Sequence, residues 1–437
     1  MGLSHKHQGI IVGIWNETHN SRCDREHRQC LYWYPLPTTE AQALEPMSKT
    51  LETDICILGG GIAGLWLNAR LRGLGYSTLL IERGALGGGQ SGKSQGIIHG
   101  GTKYALHGKL TAAAESIAGM PKRWRACLQG DGELDLRGVR QLSEYHYLWS
   151  PGSLISNLAG FFASKALRGK VDAVKGKDLP AVFVNPAFKG KVYRLAELVI
   201  DVPDAIRRLS ELAGDSLIAD SAPQIERRED GSIDAVRING YQIKAQRYVL
   251  TAGEGNEALL QDWGVSQPAM QRRPLQMVLV KGPDLPPLYA HCLGSSTKPR
   301  MTVTTHPCAD GQWCWYLGGE LAEQGVQLTP DALVSKAQHE LAELLPWIDL
   351  SKCQWTTLPV NRAEPAQSGL VRPDTAYLQP VQNVLVSWPT KLALAPDLSD
   401  QALAQLEQQG IRPNTSDDYS QLPRPQLAAP AWDICFR

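Results

Sequence analysis

Residues 54–82 read DICILGGGIAGLWLNARLRGLGYSTLLIE: an apolar run, a glycine turn, an amphipathic segment, a second apolar run and an acid. Asp54-Ile55-Cys56-Ile57-Leu58 has the length and apolarity of a buried parallel strand. Directly behind it, Gly59-Gly60-Gly61-Ile62-Ala63-Gly64 carries the G-x-G-x-x-G spacing. In that motif Gly59 makes the tight turn, Gly61 lets backbone approach a pyrophosphate, and Gly64 lets the new helix sit close to the strand. The N–H groups that open the helix, around Ile62 and Ala63, face the diphosphate. Leu65, Leu67, Ala69, Leu71 and Leu74 continue near helical period until Gly73 and Gly75 end it, and residues 77–81 resume as strand. Glu82, followed by Arg83, falls where an adenosine ribose presents its hydroxyls. The spacing predicts a dinucleotide-binding βαβ unit rather than a merely structural glycine turn.

The chain has 437 residues, more than one ordinary core carries, so two domains or one interrupted domain are expected. Lys plus Arg and Asp plus Glu both number 44. The neutral total lacks the electrostatic footprint of a nucleic-acid binder, while a local basic pocket stays open. Hydrophobic content of 43% suits a soluble globule, and no stretch reaches the apolar length of a membrane span, which leaves only peripheral membrane contact. The cysteines form no C-x-x-C pair and no His/Cys ligand spacing. Neither a metal site nor a disulfide framework is therefore expected, and a reducing cytoplasm is the simplest setting, with contact at the inner membrane face left open. Residues 9–15 are briefly apolar behind His5, Lys6 and His7 but lack the cleavage pattern of a signal peptide.

Residues 1–46 show little periodicity, and Met47 stands just ahead of the first strand as a natural start would; they read as a disordered extension or a mis-set start. Residues 86–101, LGGGQSGKSQGIIHGG, read as a long loop of close backbone approach. A helix is expected over 109–129, with Ala112, Ile117, Met120 and Trp124 near one face. Residues 131–198 alternate strand-like and loop-like pieces with Tyr145, Tyr147, Trp149, Phe161 and Phe162, a change of composition that marks a second domain. From Val202 a helix runs through Ala205, Ile206, Leu209 and Leu212, followed by strands at 216–219, 224–227 and 235–238 with Asp230-Gly231 as the hairpin turn. The strand at 248–250 ends in Thr251-Ala252-Gly253, a second turn at which backbone approaches a nucleotide. Period-two runs at 301–305 and 313–317 place Trp313, Trp315 and Leu317 on one sheet face, as core rather than pocket wall. A helix over 333–345, a core strand over 384–388, a helix over 400–409 and a proline-bearing surface tail over 411–437 complete the chain. The nucleotide-binding part draws on 50–130, 199–262 and 355–410, and the second part on 131–198 and 263–354.

Three blocks in this order, ILGGGIAG with Glu82, SGKSQGIIHGGTKY and YVLTAGEGN, resemble the FAD-dependent oxidoreductases of the D-amino-acid oxidase superfamily. The resemblance implies an α/β fold, a Rossmann-like FAD-binding domain with an inserted mixed, largely antiparallel α+β substrate domain, and FAD as cofactor. The serine-rich loop would cross over the flavin, and the YVLTAG turn would close the FAD domain. Within the superfamily, Ile98-His99-Gly100-Gly101-Thr102-Lys103-Tyr104 looks like the I-H-G-G-x-R-Y run of FAD-dependent glycerol-3-phosphate dehydrogenases, with Lys103 in place of arginine. Thr390-Lys391-Leu392 is similar to their G-G-K-L-T-T turn, with Pro389-Thr390 in place of paired glycines, and residues 369–373, GLVRP, are similar to their G-[VL]-R-P run. Lysine is a point charge where arginine is a fork, so the first exchange weakens bidentate phosphate recognition.

With FAD bound, side chains are left to take a proton from the substrate and to anchor its anionic end. His99 is the candidate for proton handling, or else orders the loop by hydrogen bonding. Lys103 and Arg372 are candidate anchoring cations and Tyr104 a candidate donor to the same anion; the alternatives are surface charges and a packed ring. Lys391 either binds substrate or places positive charge at the flavin's pyrimidine end, aided by the N–H groups of Leu392 and Ala393 if the turn opens a helix. Ser91, Lys93, Gln95 and Gly96 lie where the loop meets the diphosphate and ring, and Gly253 at the closing turn. No second glycine fingerprint for a nicotinamide is present, so oxygen, a quinone or another carrier is the expected electron acceptor. The resemblance implies hydride transfer to FAD from a small anionic hydroxy acid, polyol phosphate or amino acid. An amine or amino-acid oxidase of the same superfamily and a non-catalytic FAD-fold binding protein are the alternatives.

Overall fold

Strand β1 (Lys49–Leu58) runs into helix α1 (Ile62–Gly73) and returns as β2 (Thr78–Glu82), parallel to β1 with Ile57 opposite Leu80. The computed structural model describes residues 49–101, 112–151, 171–294, 298–368, 375–414 and 418–436. Beyond β2 come β3 (Ile97–Ile98), α2 (Ala112–Gln129), β4 (Gln141–Ser143), β5 (His146–Ser150), β6 (Val171–Val174), β7 (Lys191–Leu195) and β8 (Leu198–Ile200). Helix α3 (Val202–Ala213), β9 (Leu217–Ala219), β10 (Gln224–Arg227), β11 (Ile233–Ile238), β12 (Tyr241–Leu250) and α4 (Asn256–Asp262) follow. The chain continues through β13 (Met270–Gly282), β14 (Ala290–Leu293), β15 (Pro299–Pro307), β16 (Trp313–Gly318), α5 (Glu320–Gly325) and α6 (Pro330–Leu344). It closes with β17 (Gln354–Pro365), β18 (Tyr377–Val381), β19 (Val384–Trp388), α7 (Ala395–Gln408) and α8 (Ala431–Ile434).

The first large sheet has the order β10-β11-β12-β1-β2-β9, with β19 also beside β12 and β18 beyond β19. Its centre is parallel, β1 with β12 and β2, β2 with β9 and β12 with β19, as crossover helices require. Strands β10 to β12 form the antiparallel meander expected from Asp230-Gly231, where Asp230 accepts the Ser232 N–H at 2.9 Å. Helices α1, α3 and α7 cover one face through Leu65, Leu67, Ile206, Leu209, Leu398 and Ala402. In α3 the cause is local: Asp201 caps the first turn, and Val202, Ala205, Ile206 and Leu209 recur on its buried side.

The second sheet, β17-β13-β16-β15-β14-β5-β7-β6, is antiparallel except where β14 meets β5. Trp315 and Leu317 are buried against α6, and Trp313 packs partly buried on the same cluster, so this face is core as its period predicts. Strands β3, β8 and β4 form a third, small sheet.

Two expectations are corrected. Strand β17 pairs with β13 from Gln354 to Pro365, so it belongs to the second sheet, and the last nucleotide-binding segment cannot begin at residue 355. The tail is a surface segment only in part: many of its residues are exposed, but Tyr419, Leu422 and Trp432 are buried, and Leu427 bridges to Leu86 in parallel. Its apolar residues are too scattered among prolines and polar groups to show a period, yet Ile411, Tyr419, Leu422, Ala431 and Trp432 are buried, while Leu427 and Ile434 stay exposed. The expectations for residues 1–46, and for Phe161 and Phe162, lie outside the described residues. No described helix is long and apolar enough to cross a membrane.

Candidate active site

The glycine turn is built by contact. Gly59 has φ +114°, and a Cβ there would lie 2.5 Å from Ala252 Cα; at Gly64 a Cβ would lie 2.1 Å from the Gly59 carbonyl oxygen. Thr251 donates its hydroxyl to that same carbonyl at 2.8 Å, so the turn ending β12, with Gly253, sits directly on the turn ending β1. Glu82 accepts the N–H of Gly60 at 2.6 Å and of Gly84 at 2.7 Å, which fixes its carboxylate at the head of the βαβ unit, while Arg83 is exposed. Helix α1 carries no acidic residue in its first turn, so no carboxylate competes with an anion at its positive end. Gly61, Ile62 and Ala63 stand at this end, and Ser91 Oγ accepts the Ile62 N–H at 2.9 Å.

The serine-rich loop crosses from the first sheet to the second and is fastened to both. The Gly87 N–H reaches the Gly60 carbonyl at 2.9 Å, and Gln90 accepts the Ala363 N–H at 3.0 Å. Tyr316 donates its hydroxyl to the Lys93 carbonyl at 2.9 Å. Gln95 donates its amide to the Tyr316 carbonyl at 2.8 Å and lies 3.3 Å from Thr304 Oγ1. The Gln95 amide is therefore a fastening to β15 and β16, a duty its sequence context did not reveal. Gly96 is pressed on β8, where a Cβ would stand 2.2 Å from the Ile200 carbonyl oxygen.

Beneath this crossing lies a cavity of about 550 Å³. Lys93, Gln95, Gly96, His99, Lys391 and Leu392 line it, so six of the residues singled out from sequence converge on one space. Lys391 is buried, and Leu392 opens a single 3-10 turn that leads into α7. Lys103, Tyr104 and Arg372 lie outside the described residues.

Other residues of the cavity carried no sequence signal. Arg273 lines it and forms a two-pronged pair with buried Glu364, at 2.8 and 2.7 Å. Lys298 lies 2.6 Å from Glu323, and Arg362 lies 4.0 Å from the same carboxylate. Burial alone would raise the Glu323 carboxyl, but Lys298, with Arg362 and Arg273, holds it below its usual range. Lys93, Arg273, Lys298, Arg362 and Lys391 outnumber Glu320, Glu323 and Glu364, so the cavity has an excess of positive charge.

His99 Nδ1 lies 3.1 Å from Oε2 of Glu197, whose Oε1 accepts the Gly100 N–H at 3.0 Å. Burial would raise the Glu197 carboxyl, yet His99, the nearby His146 and the Gly100 N–H together bring it down to about 2. An ionised Glu197 favours the tautomer with the proton on Nδ1, leaving the lone pair a base needs on Nε2. His291 stacks on His99 at 6.1 Å, and His146 meets His291 edge-on at 4.2 Å. Although no sequence spacing signalled metal ligands, the fold brings ligand atoms of His99, Glu197 and His291 within 4.8 Å of one another. Glu197 and His291 lie 98 and 192 positions from His99, beyond any local motif.

Residues 54–379 match the family described as FAD dependent oxidoreductase. The chain is 62% identical over 392 residues to the probable FAD-dependent oxidoreductase PA4991 of Pseudomonas aeruginosa, covering 89% of this chain and 100% of that protein. The crystal structure of PA4991 superposes with a TM-score of 0.80 at 57% identity, covering 90% of this chain and 100% of that one. Mitochondrial glycerol-3-phosphate dehydrogenase of Saccharomyces cerevisiae is 38% identical over 72 residues, 16% of this chain and 11% of that protein. Glycine oxidase from Geobacillus kaustophilus shares the fold, with a TM-score of 0.59 at 15% identity over 87% of this chain and 100% of that one. The glycine cradle, the acid-free start of α1 and the cavity beneath the crossing loop fit the cofactor that the family takes its name from. The chain belongs to the FAD-dependent oxidoreductases of the D-amino-acid oxidase family, and FAD is its cofactor.

Proposed function

We propose that this enzyme oxidises a small anionic alcohol, a hydroxy acid or polyol phosphate, at the carbon bearing the hydroxyl. The observation that carries the reading is one cavity wall that holds both a carboxylate-supported imidazole and an excess of cations. FAD, when bound, supplies the acceptor for the hydride. His99 takes the hydroxyl proton, Glu197 holds its ring in the basic tautomer and stabilises the charge that follows, and the cations draw the substrate's anionic end inward. Arg362, Lys298 and Lys391 are the anchors among the described residues; Lys103, Tyr104 and Arg372 are proposed to join them. The local likeness to glycerol-3-phosphate dehydrogenase supports a phosphate or carboxylate at that end.

A second reading, an amino acid in place of the alcohol, is favoured by Glu320 and Glu323, which offer carboxylates to an ammonium. The electrons are proposed to leave to oxygen, a quinone or another carrier. A cytoplasmic setting is part of the same proposal.

Anaerobic bleaching of the flavin with a panel of hydroxy acids, polyol phosphates, amino acids and uncharged alcohols tests the proposal. Bleaching by anionic alcohols upholds it. Bleaching by amino acids alone selects the second reading, and bleaching by uncharged alcohols alone defeats both.

A further inference from the structure

The cluster at the inner wall of the cavity has a composition that proton transfer alone does not require. Glu197 and His291 are buried at 3% and 4% exposure, while His99 faces the cavity beside them. His146 closes the far side, its ring edge against His291.

We propose that His99, Glu197 and His291 form a binding site for one divalent transition-metal ion, with Zn²⁺ as the fitting probe. Two imidazoles and a carboxylate are the mixed nitrogen and oxygen set that Zn²⁺ takes when a fourth position stays open. Bonds of about 2.0–2.2 Å to one ion place its ligand atoms about 3–4 Å apart. The atoms present, all within 4.8 Å of one another, reach that spacing by small side-chain rotations. The supporting contacts are in place as well. Thr302 Oγ1 lies 2.8 Å from His291 Nδ1 and selects Nε2 as the ligating nitrogen, and the Gly100 N–H steadies Glu197. The cavity supplies the open position and the path of entry. On binding, the ion displaces the proton shared by His99 and Glu197, which leaves to solvent. The site stands on this geometry and not on the redox reading, although a bound ion takes His99 out of proton transfer.

Calorimetric titration of the FAD-loaded, chelator-stripped protein with Zn²⁺ tests the site. The expected result is uptake whose affinity falls at least tenfold in His291→Ala and in Glu197→Gln. Thr302→Val, which keeps all three ligands, is expected to weaken it about tenfold and serves if either ligand variant fails to fold. No uptake, or equal affinity in every folded variant, overturns the site. Uptake with undiminished substrate turnover leaves the site standing and removes His99 from the role of base. Loss of turnover in His99→Gln, together with no Zn²⁺ uptake by the unsubstituted protein, overturns the site and upholds that role.

Discussion

At the scale of single residues, Glu197 shows how a side chain acts through another. It is buried, ionised and in contact with His99 and the Gly100 backbone, so it sets the tautomer of a ring that faces the cavity. Glu197→Gln keeps the shape and removes the charge. The rate of flavin reduction in anaerobic stopped flow is expected to fall about 10- to 100-fold with flavin content preserved, and by about 100-fold or more in His99→Asn. An unchanged rate in both variants would take the dyad out of the reaction. The glycines separate packing from cofactor binding in the same way. A Cβ on Gly64 would collide with backbone at 2.1 Å, whereas one on Gly61 meets only the Ser91 hydroxyl at 3.1 Å. Gly64→Ala is therefore expected to destabilise the apoprotein by about 2 kcal/mol or more. Gly61→Ala should leave apoprotein melting nearly unchanged while it weakens FAD uptake, and equal losses of stability in the two would contradict the cradle.

At the scale of elements, what was legible in the sequence is what repeats locally. The order strand, turn, helix, strand in residues 54–82, the period of α3 and the alternation in β16 each follow from neighbouring residues sharing one environment. The crossing loop was legible as a loop through its glycines and serines, and four of its predicted residues, with two from the 390–392 turn, do reach one cavity. Its fastening was not legible, because the partners of Gln95 lie more than 200 positions away on β15 and β16. His291, Arg273 and Arg362 escaped for the same reason: they sit on β14, β13 and β17, and the register that aligns strands is not a property of any one segment. Glu197, in the link from β7 to β8, escaped because its partner His99 is 98 positions away. The fastening is itself testable. Gln95→Ala removes the amide bonded to the Tyr316 carbonyl and is expected to cost about 1–3 kcal/mol. Limited proteolysis should then cut faster within residues 86–101 than elsewhere, and uniform cutting along the chain would assign the loop's rigidity to other contacts.

At the scale of the whole molecule, the closing segment ties the two large sheets together. Tyr419 donates its hydroxyl to the Glu52 carbonyl on β1 at 2.5 Å, Leu427 bridges to Leu86, and Trp432 stacks on His306 of β15 at 4.0 Å. His306 is fully buried with Nε2 2.9 Å from Thr304 Oγ1, and burial lowers its pKa from 6.5 to about 3. The fold thus refuses a proton that the unfolded chain accepts. Below pH 6.5 the unfolded state holds more protons, so stability falls with pH until about 3, where His306 is protonated in both states and the loss levels off. Glu197 acts later: its contribution is intact above 4.5 and drains away as pH falls toward about 2. The two limbs separate in His306→Phe, which keeps an aromatic ring for Trp432 and deletes the titrating nitrogen. The wild-type protein is expected to lose about 2 kcal/mol between pH 6.5 and about pH 5. The variant should stay nearly level over that range and still weaken below 4.5, where Glu197 takes up a proton in the unfolded chain but not yet in the folded one. Urea midpoints across a pH series measure both limbs, and a wild-type slope in the variant would locate the acid sensitivity away from the seam between the tail and the second sheet.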